Sequence, residues 1–214
     1  GYINTGTWSE KAIKEAKLFG EVIEIASSKD KNFNYIPKKI KINDEYDYIH
    51  LTTNNTIFGT QFHNFPDTNS SLIADMSSDI FSRAIDYSKF NLFYAGAQKN
   101  TGPAGTTLVI VKESLLSKIN ENIPSMLSYK IHTDKESMFN TPPVFPIYTA
   151  MLNLRWIKKN GGIQNIENKN REKANLIYNE IDNNSKFIGF AEKDDRSFMN
   201  VTFNLIDSEE KDIF

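Results

Sequence analysis

A lysine crowded by small residues is the part of this sequence best suited to covalent chemistry. It lies in Tyr94-Ala95-Gly96-Ala97-Gln98-Lys99-Asn100-Thr101-Gly102-Pro103-Ala104-Gly105, between two apolar runs. A strand ending there would deliver Lys99 to a rigid place, and the glycines would let backbone approach a ligand closely. Shelter from water would lower the amine's pKa and free it to attack a carbonyl. The same composition equally describes a glycine-rich turn whose lysine points to solvent. Asp75 is the second such residue, closing the apolar run Leu72-Ile73-Ala74. A carboxylate at the end of a buried strand is costly unless a cation meets it, and that edge of an open α/β sheet is where ligands bind. An Asx-turn or helix cap built by Asp75 or Asp79 is the plainer use of these residues. The pairing of Asp75 with Lys99 on successive strand ends shifts the balance toward chemistry.

The elements that must position these groups can be read from periodicity. Leu92 to Ala95, ending in Gly96, predicts one strand; Thr106 to Val111 predicts another, apolar throughout and so covered on both faces. Glu21 to Ala26, Tyr46 to Thr52 and Met199 to Leu205 carry further strand patterns, with Lys29 to Asn34 a polar loop and Asn54-Asn55 a turn. Thr7-Trp8-Ser9-Glu10 reads as a capping box opening a helix that runs through Ala12, Ile13 and Ala16 to Gly20. Helical periodicity returns from Phe145 to Lys159, stopping at Gly161-Gly162, and from Ile166 to Ile181 with Ala174, Ile177 and Ile181 on one face. Strands alternating with helices predict an α/β sandwich. The expected division is a large domain over residues 1–158 and the start of a smaller one over 159–214.

Composition narrows the function classes. The 214 residues are 39% hydrophobic and 24% charged, enough for a sizeable core and against disorder. A formal charge of −2 leaves no basic surplus for a nucleic-acid backbone. The absence of cysteine removes disulfides, thiolate nucleophiles and cysteine-ligated zinc, and fits a cytoplasmic protein. No apolar run has the length of a membrane span. Among the histidines, His50 falls in a strand pattern and reads as a packed or hydrogen-bonded core residue, and His63 as polar surface. His132, near Asn140, could approach a substrate phosphate. No spacing suggests a metal site or a Ser-His-Asp set. The chain begins at Gly1 rather than methionine and ends at Phe214 within a strand unit, so it reads as a piece of a longer product.

Ala74-Asp75-Met76-Ser77-Ser78-Asp79 followed by Tyr94-Ala95-Gly96-Ala97-Gln98-Lys99-Asn100 resembles the phosphoserine aminotransferases, fold-type-I, class V enzymes that use pyridoxal 5'-phosphate. The resemblance continues in order through Gly6-Thr7-Trp8-Ser9, Asn54-Asn55-Thr56-Ile57-Phe58-Gly59, Ser137-Met138-Phe139-Asn140-Thr141-Pro142-Pro143, Trp156 to Gly162 and Arg196-Ser197-Phe198-Met199-Asn200-Val201. It implies a large domain with a mixed, mostly parallel sheet in an α/β/α sandwich, plus the beginning of a small α+β domain. It implies that Lys99 joins the cofactor aldehyde and later shuttles a proton between substrate and cofactor. Asp75 would pair with the pyridine nitrogen. Trp8, in isolation an ordinary core aromatic at a helix start, would stack on the ring, and Thr56 would bond near the ring oxygen. Gln98 would contact the cofactor phosphate, as would Asn140 and Thr141 from the other subunit of a homodimer. Read alone, Asn140 to Pro143 is a turn before a helix, with Thr141 as cap. No exposed apolar stripe in the sequence supports the dimer independently.

The implied reaction exchanges an amino group between O-phospho-L-serine with 2-oxoglutarate and 3-phosphohydroxypyruvate with L-glutamate, in serine and, in some bacteria, pyridoxine biosynthesis. The family's upstream cofactor-phosphate loop and its downstream carboxylate-binding arginine have no counterpart here; Arg196 is not that arginine. The alternatives are another class V enzyme, such as a serine–glyoxylate aminotransferase, and a truncated homologue that binds or assembles without catalysing.

Overall fold

Short apolar runs bounded by turn residues become the strands. In chain order the elements are β1 (Tyr2–Asn4), α1 (Thr7–Ala16), β2 (Glu24–Ser27), β3 (Tyr48–Thr52), β4 (Asn54–Asn55), β5 (Thr60–Gln61), β6 (Ser71–Asp75), β7 (Leu92–Gly96), β8 (Thr107–Val111), α2 (Glu113–Leu116), α3 (Tyr129–Asp134), α4 (Val144–Lys159), α5 (Gly162–Asn183), β9 (Phe187–Gly189) and β10 (Phe203–Leu205). The structure, a computed structural model, describes residues 1–42, 46–120 and 122–206. Six strands form the main sheet in the order β2-β1-β3-β6-β7-β8, parallel except where β8 runs antiparallel to β7. This is the mixed, mostly parallel α/β sheet expected. Two antiparallel ribbons lie outside it: β4-β5, inserted in sequence between β3 and β6, and β9-β10, after α5.

Register brings the ends of three strands level. Thr52 pairs with Asp75, and Asp75 with Tyr94. Alternate residues point to opposite faces, so Ile49, Leu51, Leu72, Ala74, Phe93 and Ala95 share one face. All are buried in a cluster with Phe62, Met76, Ile80 and Phe90. Each aliphatic side chain taken wholly out of water there stabilises by about 1.5–3 kcal/mol. A slip of one residue would turn the whole set outward, which pins the register and with it Asp75. The opposite face carries Tyr2, His50 and Tyr94. The His50 Nε2 and the Tyr94 hydroxyl are 3.0 Å apart, and the Tyr2 ring stacks on the imidazole with centroids 5.1 Å apart. His50 is thus the buried, hydrogen-bonded core residue expected of it.

Several expectations are corrected. Glu10 does not complete a capping box: α1 is capped by Gly6, which has no side chain to offer, and Glu10 instead meets Lys29 at 2.8 Å. That helix ends at Ala16, before Gly20. The strand at Thr107–Val111 is not covered on both faces. It is the sheet edge, with Val109 and Ile110 exposed, because an apolar run alone does not reveal its number of neighbours. Asn54 and Asn55 are paired strand residues, and the turn follows them. The stripe of α5 runs through Ala174, Tyr178 and Ile181 onto Phe187, Phe198 and Val201, while Ile177 is exposed. Thr141 caps nothing, since α4 starts after Pro143 without a side-chain cap. Among the described residues no helix is long and apolar enough to cross a membrane, and no three metal-ligating side chains gather.

Candidate active site

Four side chains converge where β1, β3, β6 and β7 end. Trp8 lies in the first turn of α1, directly after β1, and is 41% exposed. Buried hydroxyls hold that turn to the sheet: Thr5 Oγ1 donates to Asn55 Oδ1 at 3.2 Å, and Ser9 Oγ to Thr52 Oγ1 at 3.2 Å. Asp75 closes β6 half-buried, and its Oδ1 accepts the Ser77 N–H at 2.9 Å. The Asx-turn is therefore real, and it coexists with the placement that chemistry requires. Lys99 follows β7. Its Nζ donates to Thr56 Oγ1 at 2.5 Å and lies 5.5 Å from the centre of the Trp8 ring, within cation–π range. Burial of the ammonium lowers its pKa, while the charge of Asp75 acts in the opposite direction.

The sheltered amine is only partly realised. Lys99 is exposed as a residue, and it is the charged end alone, between Thr56 and Trp8, that is screened.

A buried polar layer beneath the cleft escaped the sequence reading. Asn54 donates through Nδ2 to Ser78 Oγ at 2.9 Å and Asn200 Oδ1 at 2.7 Å, and its Oδ1 accepts the Ser197 hydroxyl at 2.5 Å. Asp79 accepts from Thr53 Oγ1, from Gln61 Nε2 at 3.1 Å and from Arg83 Nη2 at 3.1 Å. Charged and amide groups enclosed in this way are costly unless every one is partnered. The one local signal was polarity itself: Thr52-Thr53-Asn54-Asn55 continues a strand in which hydroxyls and amides replace aliphatics.

An amine with a lowered pKa, a flat aromatic face and a carboxylate can together hold a carbonyl carried on an electron-poor ring. Residues 2–214 match the family model described as aminotransferase class-V. The chain belongs to the class-V aminotransferases. Among curated proteins, it is 58% identical over 213 residues to the phosphoserine aminotransferase of Flavobacterium psychrophilum, covering 100% of this chain and 60% of that one. The class-V chain thus spans 60% of that relative's length. A solved structure concerned with radiation damage of the Schiff base in phosphoserine aminotransferase superposes with a TM-score of 0.96 at 50% identity, covering 99% of this chain and 60% of the other. The phosphoserine aminotransferase of Trichomonas vaginalis, solved with pyridoxal phosphate bound, gives a TM-score of 0.87 at 34% identity, covering 98% of this chain and 64% of its own.

At this candidate site of the class-V chain the structure brings together Trp8, Thr56, Asp75 and Lys99, four of the seven residues singled out from sequence. Gln98 is exposed, and its amide folds back over Gly96, where a Cβ would lie 2.5 Å from Oε1. Asn140 and Thr141 are exposed, and among the described residues neither is hydrogen-bonded to Lys99; the Asn140 amide meets Met126 Sδ at 3.0 Å. His132 bonds the Met126 carbonyl at 3.3 Å and packs edge-on to Phe139. His63 is not simple surface: it is half-buried, bonds the Arg196 carbonyl at 3.0 Å, and its pKa is lowered by burial.

Proposed function

We propose that this chain carries the cofactor-binding part of a pyridoxal-phosphate-dependent phosphoserine aminotransferase. One observation bears the reading: the Lys99 amine meets the Thr56 hydroxyl, the Trp8 ring and the charge of Asp75 at a single edge of the sheet. The residues fit the cofactor group by group. Lys99 suits the aldehyde, Trp8 the ring face, Asp75 the ring nitrogen, Thr56 the ring oxygen and Gln98 the phosphate. When bound, pyridoxal phosphate supplies an electron sink for the bond broken at the substrate carbon. Asp75 would keep the ring nitrogen protonated. Lys99 would hold the cofactor by its aldehyde and, as a free amine, would move the proton at the substrate Cα. Its lowered pKa suits that task, because an amine must be neutral to accept the proton.

The substrates proposed are O-phospho-L-serine with 2-oxoglutarate, and 3-phosphohydroxypyruvate with L-glutamate, in serine biosynthesis in the cytoplasm. The reading also includes a homodimer with composite sites. In support, α4 exposes Val144, Phe145, Ile147, Tyr148, Leu152 and Trp156, and large apolar side chains gathered on one exposed helix suit an interaction surface. Asn140 and Thr141, both exposed, come just before this surface in sequence and are left to serve a partner's site. A division into units 1–158 and 159–214 accords with the end of α4 at Lys159 and with the separate cluster beneath α5; residues 207–214 lie outside the described residues.

Borohydride reduction of the cofactor-loaded full-length protein, followed by peptide mass mapping, is expected to place the label on Lys99. Label on another lysine overturns the reading. Turnover of phosphoserine is expected to exceed that of serine; the reverse would point to a different class V substrate.

A further inference from the structure

The turn that bears Thr56 is gripped from both sides by a segment distant in sequence. On one side, the Asn54 side chain accepts the Ser197 hydroxyl at 2.5 Å and donates to Asn200 Oδ1 at 2.7 Å. On the other, Thr202 Oγ1 donates to the Phe58 carbonyl at 3.0 Å, and the Ser197 N–H to the Gly59 carbonyl at 2.8 Å. Gly59 has a φ of 68°, and a Cβ there would run into Thr202 Oγ1 and lie 2.9 Å from the Asn200 carbonyl oxygen. An antiparallel bridge between Thr60 and Arg196 closes the junction. Thr56 itself makes none of these contacts, so its hydroxyl is free to face Lys99 while its backbone is fixed from both ends.

We propose that Ser197, Asn200 and Thr202 are positioning residues for Thr56, clamping the turn that presents its hydroxyl to Lys99. The inference rests on the proposed cofactor site and adds a control on it. Hydrogen bonding to one protonation state of a group favours that state, so a shifted Thr56 hydroxyl changes the protonation behaviour of whatever it contacts. The seating of the 197–202 segment thereby tunes the Lys99 amine and the ring oxygen it approaches, without touching either.

The test uses the full-length protein and two readouts besides turnover. One is the rate of Lys99 acylation by limiting acetic anhydride against pH, without cofactor. The other is the pH midpoint of the visible absorbance with cofactor bound. Thr56→Val sets the full effect. Thr202→Val, which keeps shape and removes one hydrogen bond, is expected to move both midpoints in the same direction by about half a pH unit, and Thr202→Ser to restore them. Asn170→Ala is the control for stability alone. It breaks a buried bond from Asn170 Nδ2 to the Ser82 carbonyl, 2.9 Å, at a different junction, and it should lower the melting temperature with both midpoints unmoved. If Thr202→Val lowers the melting temperature as the control does and leaves both midpoints at the parent values, the clamp is overturned. Gly59→Ala, the harsher variant, is expected to exceed Thr202→Val where it folds. Lys99→Ala separates the two ideas: protein that still takes up colour through a covalent link refutes the cofactor reading, whereas lost colour with unmoved Thr202→Val midpoints refutes the clamp alone.

Discussion

Asp75 and Asp79 lie four residues apart on one segment, yet their surroundings are opposite. Asp79 is wholly buried and ringed by Thr53 Oγ1, Gln61 Nε2 and Arg83 Nη2; Arg83 in turn donates to the Phe62 carbonyl at 2.7 Å. Asp75 is half-buried, and among the described residues its carboxylate takes the Ser77 N–H alone. A buried charge with both carboxylate oxygens engaged and a guanidinium beside it fixes geometry and is closed to a ligand. A carboxylate held by one backbone bond is oriented and keeps the capacity to meet a cation. The first region is the mould, and the second is what it presents.

The two should therefore fail differently. Asp79→Ala leaves the Arg83 guanidinium buried without its counter-charge, and is expected to cost about 3–5 kcal/mol of folding free energy by urea unfolding. A loss below roughly 1 kcal/mol would mean that the pair behaves as a surface one, and the contrast would collapse. Asp75→Asn keeps the shape and the Asx bond but removes the charge. Stability is expected to stay within about 0.5 kcal/mol of the parent, while turnover falls about 10²–10³-fold in the full-length, cofactor-loaded protein. Unchanged turnover would remove Asp75 from the site.

The legible parts of the molecule are those whose partners are near in sequence or implied by periodicity. Leu72 to Asp75 and Leu92 to Gly96 announced their strands by composition, and the positions of Asp75 and Lys99 followed from strand ends. Glu10 misled because its carboxylate has two uses, a helix amide three residues back and Lys29 nineteen residues on, and tertiary structure chose the second. Asn54-Asn55 read as a turn because asparagine favours turns when nothing else is known. What makes them strand residues is backbone pairing with Gln61 and Thr60, and the Asn54 side chain is then held by Ser197, 143 positions away. The apolar face of α4 was readable as helix but not as exposed, since amphipathic pattern does not say which side the rest of the chain covers. Long-range polar partnership is what sequence pattern left invisible, and the mould around Asp79 consists of little else.

His50 sharpens the contrast from the face of the sheet that Asp75 shares, where it stands across from Ile73 in register with the strand that ends in Asp75. Burial holds its pKa down at about 4, against 6.5 for a histidine in water. Its Nε2 meets the Tyr94 hydroxyl, and its Nδ1 has no hydrogen-bond partner among the described residues. The folded state therefore keeps the ring neutral over a range in which the unfolded chain binds a proton. Stability from this source is complete above about pH 6.5, declines as pH falls toward 4, and is not lost further below that. The full decline is about 3 kcal/mol, of the order set by that difference in pKa. Urea unfolding across this interval should show it, and His50→Gln, which can still bond Tyr94 but does not titrate, should flatten the slope. A slope that survives His50→Gln would assign the acid sensitivity to other groups and make His50 one more inert member of the mould.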